Sequence, residues 1–138
     1  MRATERVFVD TGAWIALAVT RDSLHERAVA TWHGLERAGA RLFCSVPIVL
    51  ETFTYLDRKG SRELALRWRS SIKGLRRFQI LGCAPADLEA AFVLLDRGDV
   101  HKLSLVDATS FVLMRKHDLR MAFTFDTHFA VAGFRIAE

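Results

Sequence analysis

Residues 6–18 read RVFVDTGAWIALA, and how this stretch is read decides the fold. An apolar run, Val7 to Val9, is too short to be a core helix, and it stops at a carboxylate, Asp10. The chain then turns at Thr11 and Gly12 into a segment with helical character. Burying a charge beside an apolar strand is unfavourable unless something compensates it. Further runs of the same kind lie at 42–44, 78–81 and 121–125, with a last short piece at 134–136 suited to a sheet edge. None alternates polar with apolar residues, as expected of parallel strands covered on both faces.

Between these runs the spacing changes to that of helices. Residues 25–38 carry Ala28, Val29, Trp32 and Leu35 on one stripe, and Gly39 is placed to end the helix. Residues 47–58 open on proline and are followed by Gly60, residues 61–74 begin on a serine cap, and helices are also expected over 85–96 and 105–116. Strands alternating with helices define an α/β sandwich around a mainly parallel sheet. In such sheets functional groups gather beyond the carboxyl ends of the strands, where the strand order reverses. Asp10 occupies one such end, and Asp126 follows another.

The 138 residues, 51% hydrophobic, suit one domain over 1–138 with an ordinary core. No apolar stretch approaches a membrane span or a signal peptide, so a cytoplasmic protein is expected. Cys44 and Cys83 lie in separate apolar segments without CxxC spacing, which suits reduced core thiols better than a disulfide or zinc site. The net charge is +4, and eight of the 20 Lys and Arg residues fall within 58–77: Arg58, Lys59, Arg62, Arg67, Arg69, Lys73, Arg76 and Arg77. Glu63 is the only acid among them. That density suits a polyanion such as RNA, and equally a solvated helix face.

Four acids raise the chemical question. Asp10 and Asp126 each have an ordinary reading as turn formers or helix caps. Asp107 completes Ser104-Leu-Val-Asp107, the pattern of a capping box. Glu51 is harder to dismiss, because it shares a helical stripe with Ile48 and Tyr55 in VPIVLETFTYL and points to a partly dry cleft rather than a plain solvated face. Carboxylates brought together need raised pKa values or compensating cations. No Lys or Arg lies within three residues of Asp10 or Asp126, and the nearest to Asp107 is Lys102. A divalent ion is the economical compensation, and an all-oxygen donor set favours Mg²⁺ or Mn²⁺ over zinc.

The ordered set VFVDTGAWIAL, ETFTYL, KLSLVDATSFVLMRKH and AFTFDTHF resembles PIN-domain ribonucleases, most of all the VapC toxins of bacterial and archaeal toxin–antitoxin pairs. The resemblance implies a three-layer α/β/α fold in which Asp10, Glu51, Asp107 and Asp126 converge as catalytic residues and metal ligands, with Thr11, Ser104 and Thr124 as supporting polar residues. It implies a metal-dependent endoribonuclease using Mg²⁺ or Mn²⁺ to hydrolyse RNA to 5′-phosphate and 3′-hydroxyl ends. A cognate antitoxin and a homodimer are implied as partners. Gly12, Trp14 and the dense basic segment depart mildly from the family pattern, and the departures bear on the target RNA rather than the chemistry.

Two other readings compete. A catalytically silent module would hold RNA or a protein partner without shortening the RNA. A phosphatase of another α/β family would need a DxD setting, which Asp10-Thr-Gly lacks. Trp68 sits among the cations where it would stack on an unpaired base, but its spacing from Leu64 and Ile72 marks a core position. His128, two residues after Asp126, stands close enough in sequence to approach the scissile phosphate. His25, His33, His101 and His117 lack metal-binding spacing, and all five histidines are left out of the expected site.

Overall fold

In the computed structural model, which describes residues 4–98 and 102–138, five strands form one sheet in the order β3-β2-β1-β4-β5, and every pairing is parallel. The strands are β1 (Arg6–Val9), β2 (Arg41–Ser45), β3 (Phe78–Leu81), β4 (Met121–Phe123) and β5 (Arg135–Ile136). Helices α1 (Thr11–Ala18), α2 (His25–Arg37), α3 (Val46–Tyr55), α4 (Arg62–Lys73), α5 (Pro85–Asp96), α6 (Leu105–Lys116) and α7 (His128–Val131) flank it. Val7, Phe8 and Val9 are fully buried, which is why β1 reads as a continuous apolar run. Among the described residues no helix is long and apolar enough to cross a membrane.

The order of the strands creates the crevice. From β1 the chain steps outward through β2 to β3, then returns to the other side of β1 to lay down β4 and β5. Val9 pairs with Phe123, and the Asp10 N–H donates to the Phe123 carbonyl at 3.0 Å. The β1–β4 ladder therefore runs to the residue where Asp10 leaves the sheet. This is the topological switch point at which open parallel sheets present their ligand sites.

Local signals act as expected at most helix ends. Gly39 adopts φ +66° and closes α2, a conformation that side chains with a Cβ rarely take. Ser61 Oγ accepts the Leu64 N–H at 3.0 Å, and Ser104 Oγ accepts the Asp107 N–H at 3.0 Å. Two boundaries and one short helix differ from the sequence-based expectation. The helix expected over 47–58 ends at Tyr55 and widens into a π turn, Leu56–Gly60, which keeps Leu56 fully buried while carrying Arg58 and Lys59 to the surface. The strand expected to reach residue 125 stops at Phe123, where the Thr124 side chain turns to bond Asp10 across the sheet and to accept the Asp126 N–H. The short helix α7 is too brief to show a period in the sequence. Arg2 and His101 lie outside the described residues.

Trp14 on α1 is the hub of the core on one side of the sheet. Its ring meets Trp32 and Trp68 at 5.8 Å and Phe78 at 5.7 Å. Trp68 is thus a core residue, as its helical spacing indicates, with 6% of its surface exposed. Cys44 is fully buried, Cys83 is partly so, and both are free thiols. Burial pushes the Cys44 thiol up to about 12, which leaves it unreactive. Trp14→Ala is expected to cost about 3–5 kcal/mol in denaturant unfolding, since it empties the centre of this aromatic cluster.

Candidate active site

Asp10, Thr11, Gly12, Ile15, Glu51, Ser104, Phe125, Asp107 and Asp126 line one pocket of about 410 Å³ at the carboxyl end of β1. Each acid reaches it from a different element. Asp10 is the first residue past β1 and sits just before α1, with 5% of its surface exposed. Glu51 is in the middle of α3, six residues past the Ser45 cap. Its helix buries Ile48 and Thr52, so Glu51 lies at the margin between that buried face and the solvent-facing Leu50. Asp107 occupies the first turn of α6, where the Ser104 cap fixes its backbone. Asp126 follows β4 in the loop that leads to α7. The structure therefore brings together all four acids singled out from the sequence.

Hydrogen bonds set the orientation of two of them. Thr124, 3% exposed, donates from Oγ1 to Asp10 Oδ2 at 2.9 Å and accepts the Asp126 N–H at 3.0 Å. One hydroxyl thus ties the end of β1 to the loop after β4. Asp126 Oδ1 accepts the His128 N–H at 2.9 Å and lies 2.8 Å from His128 Nδ1. Thr11 is buried, and its Oγ1 meets no hydrogen-bond partner although it lines the pocket. Ser104 serves as the α6 cap and borders the same space.

The charges are strongly felt. Asp10 is raised to about 7, chiefly by burial and then by the charge of Asp107; the Thr124 and Thr11 hydrogen bonds oppose the rise, and Glu51 adds to it. Asp107 is raised to about 6 by burial, by the charge of Asp126 and by a hydrogen bond with it, against the Ser104 hydroxyl. No Lys or Arg among the described residues comes within 4.0 Å of any of the four acids; the one basic contact is His128 on Asp126. Oxygen donors from Asp107 and Asp126 and a nitrogen of His128 lie within 4.8 Å of one another. An uncompensated carboxylate cluster, all oxygen apart from that imidazole, with an unsatisfied hydroxyl beside it, fits a metal ion.

His128 is the member of this constellation that sequence reasoning left out. The available signal was its place two residues after Asp126, where a side chain at the start of a turn can fold back on the carboxylate. The basic residues are all exposed but do not converge on the acids. Arg58 and Lys59 line an apolar depression that shares Glu51 with the acid pocket, and Arg67 lies on a larger groove. Arg62 is paired with Asp57 at 2.6 Å, and Arg77 donates to the Gly39 carbonyl at 2.8 Å. Arg69, Lys73 and Arg76 line none of these cavities.

A doubly flanked parallel sheet with acids at its switch point is the arrangement of a PIN domain, and the PIN domain family model matches residues 7–135. The chain belongs to that family. Within it, the chain is 35% identical over 130 residues to the 23S rRNA-specific endonuclease VapC20 of two strains of Mycobacterium tuberculosis, covering 93% of this chain and 95% of the relative. The crystal structure of M. tuberculosis VapC20, described as a sarcin–ricin loop cleaving toxin, superposes with a TM-score of 0.81 at 32% identity, covering 93% of this chain and 95% of that one.

The raised acids make stability depend on pH in a definite direction. The folded chain keeps the Asp10 proton up to about 7, whereas the ordinary value is 3.8. This contribution to stability is therefore intact below about pH 4 and is lost as the pH rises through 7. In metal-free protein, Asp10→Asn should raise the melting temperature at pH 8 by about 4 °C or more and change it little at pH 4, as followed by circular dichroism.

Proposed function

We propose that this protein is a metal-dependent endoribonuclease, a single nuclease domain acting in the cytoplasm as the toxin of a VapBC-type pair. The convergence of Asp10, Glu51, Asp107 and Asp126 on one pocket at the sheet's switch point carries the reading. Asp10 and Asp107 are the principal ligands for Mg²⁺ or Mn²⁺, Asp126 is a further ligand, and Glu51 is a ligand or orients water. A bound divalent ion supplies Lewis acidity toward the phosphodiester and the attacking water. The chain's own part is to hold the carboxylates in register. Thr124 fixes Asp10, the Ser104 cap fixes the helix end bearing Asp107, and the burial of Asp10 keeps bulk water from solvating it.

Arg58 and Lys59 are the cations best placed to hold the RNA backbone, since they share a depression with Glu51. The remaining basic residues of 58–77 add attraction at longer range. The likeness to VapC20 makes 23S rRNA, and its sarcin–ricin loop, the first substrate to test.

Restraint of such an enzyme falls to an antitoxin segment. A groove of about 880 Å³ between α1, α2 and α4 is lined by Trp14, Trp32, Leu64, Trp68 and Ile72 and rimmed by Arg21, Lys59 and Arg67. Ile15 belongs to this groove and to the acid pocket, so a segment lying in the one leads directly to the other. Homodimerisation completes the reading, and exposed Leu88, Phe92 and Val93 on α5 supply apolar surface for it.

Purified protein given Mn²⁺ is expected to shorten ribosomal RNA, leaving 5′-phosphate and 3′-hydroxyl ends. Asp10→Asn and Asp107→Asn should each abolish cleavage while circular dichroism stays native. RNA that is shifted on a gel yet never cut by the wild-type protein would overturn the enzymatic reading. Replacing Arg58 and Lys59 together by alanine should raise KM and flatten the log–log salt dependence of RNA binding by about 1.4.

A further inference from the structure

We propose that the depression beside Glu51 seats an unpaired RNA base stacked on Tyr55, with the adjoining phosphate on Arg58 and Lys59. The proposal rests on the reading of the acid pocket as a nuclease centre and deepens it, by naming the form of RNA that the centre accepts and the side chain that selects it.

The depression, about 560 Å³, lies between α3 and α6, the helices that carry Glu51 and Asp107. Pro47, Leu50, Glu51 and Thr54 recur at helical spacing along its α3 wall, and Tyr55 and Arg58 continue that face by a further turn. The α6 wall is Val106, which immediately precedes Asp107. Glu51 borders this space and the acid pocket alike, so a group seated here is a neighbour of whatever the acids hold. Leu50 is 64% exposed and Tyr55 43%, and both open onto the same concavity. Single exposed apolar side chains are ordinary on a protein surface, but two that line one hollow beside a set of functional groups have the character of a binding subsite.

The chemistry of the lining selects the occupant. An unpaired nucleotide combines a flat π face with an anionic phosphate, and the depression combines an apolar floor and an aromatic ring with two cations at one end. Arg58 and Lys59 reach that end on the π turn, an irregularity found most often at functional sites. Trp68, the other aromatic residue among the cations, belongs to the core. Of the aromatic side chains that border the three cavities among the described residues, Tyr55 is the exposed one. A base paired in a duplex is already stacked on its neighbours, so the depression takes one turned out of a loop or single strand. The two kinds of contact then have different consequences. The cations attract any RNA, whereas Tyr55 favours RNA that presents a free base next to the bond to be cut.

The test uses the shortest 23S rRNA fragment that the wild-type protein cuts with Mn²⁺, with binding measured on the same RNA without divalent ions. Tyr55→Leu keeps an apolar side chain and removes the ring. It is expected to raise KM and weaken binding by about 5–100-fold, with kcat and the melting temperature little changed. The log–log salt dependence of binding should keep its slope, because no phosphate contact is lost. Tyr55→Phe, which restores the ring, should recover the affinity. An abasic nucleotide is then placed in turn at each position flanking the mapped cut. At one position it should weaken the wild type by the same factor and have no further effect on Tyr55→Leu. RNA binding and cleavage unchanged in Tyr55→Leu, with antitoxin binding or dimerisation lost, would give the depression to a protein partner and overturn the proposal. So would unchanged RNA behaviour alone, a salt slope flattened by about 0.7 as for a lost phosphate contact, or abasic penalties equal in both proteins at every position. Wild-type protein that cuts no fragment would instead remove the nuclease reading itself, a result that involves no Tyr55 variant.

Discussion

Mutual repulsion among carboxylates held at the end of a parallel sheet is the constraint on which the rest of this molecule depends. Two such charges about 4 Å apart repel by about 1 kcal/mol in water and about 4 kcal/mol at an effective dielectric near 20. Asp10 feels this most, because burial adds to the effect of Asp107. A fold meant only to be stable would place leucine or asparagine there. The network around the acids is built to hold them in place despite the repulsion: Thr124 bridges Asp10 to the Asp126 loop, Ser104 anchors the end of α6, and the β1–β4 ladder runs right up to Asp10. The binding of a divalent ion would turn the same repulsion into affinity.

The surroundings of the pocket extend this arrangement outward. Glu51 is shared with the depression bearing Arg58 and Lys59, and Ile15 is shared with the tryptophan-lined groove. The depression and the groove also meet each other at Tyr55 and Lys59, so together they form a continuous rim beside one set of acids. The basic residues of α4 are spread over an exposed helix rather than gathered at the pocket, which fits a general attraction with few specific contacts.

Much of the fold was legible because its strands are buried on both faces, so that runs such as Val7 to Val9 could hardly be surface segments. Helix ends governed by a serine cap or by Gly39 were legible for the same local reason that makes them form. The misread boundaries are those decided by interactions distant in sequence. Thr124 leaves the strand to bond Asp10, 114 residues away, and the helix past Tyr55 widens where Leu56 must stay in the core. At the site, Asp10, Asp107 and Asp126 stood out as charges with no Lys or Arg close by in sequence, and Glu51 by sharing a helical stripe with Ile48 and Tyr55. His128 did not, because its relation to Asp126 depends on a side-chain orientation that spacing alone does not fix. The density of cations over 58–77 was plain, but which of them border the acids depends on the π turn that carries Arg58 and Lys59.

The pairing of β1 with β4 also governs when the acid set can be completed. The strand that begins the sheet is made first, yet the threonine that orients its aspartate and the last acid of the set are translated only after β4. Until β4 pairs with β1, Asp10 lacks the threonine that orients it and the set lacks Asp126. The assembled centre is thus a late product of the fold, reached only when segments 114 residues apart have met.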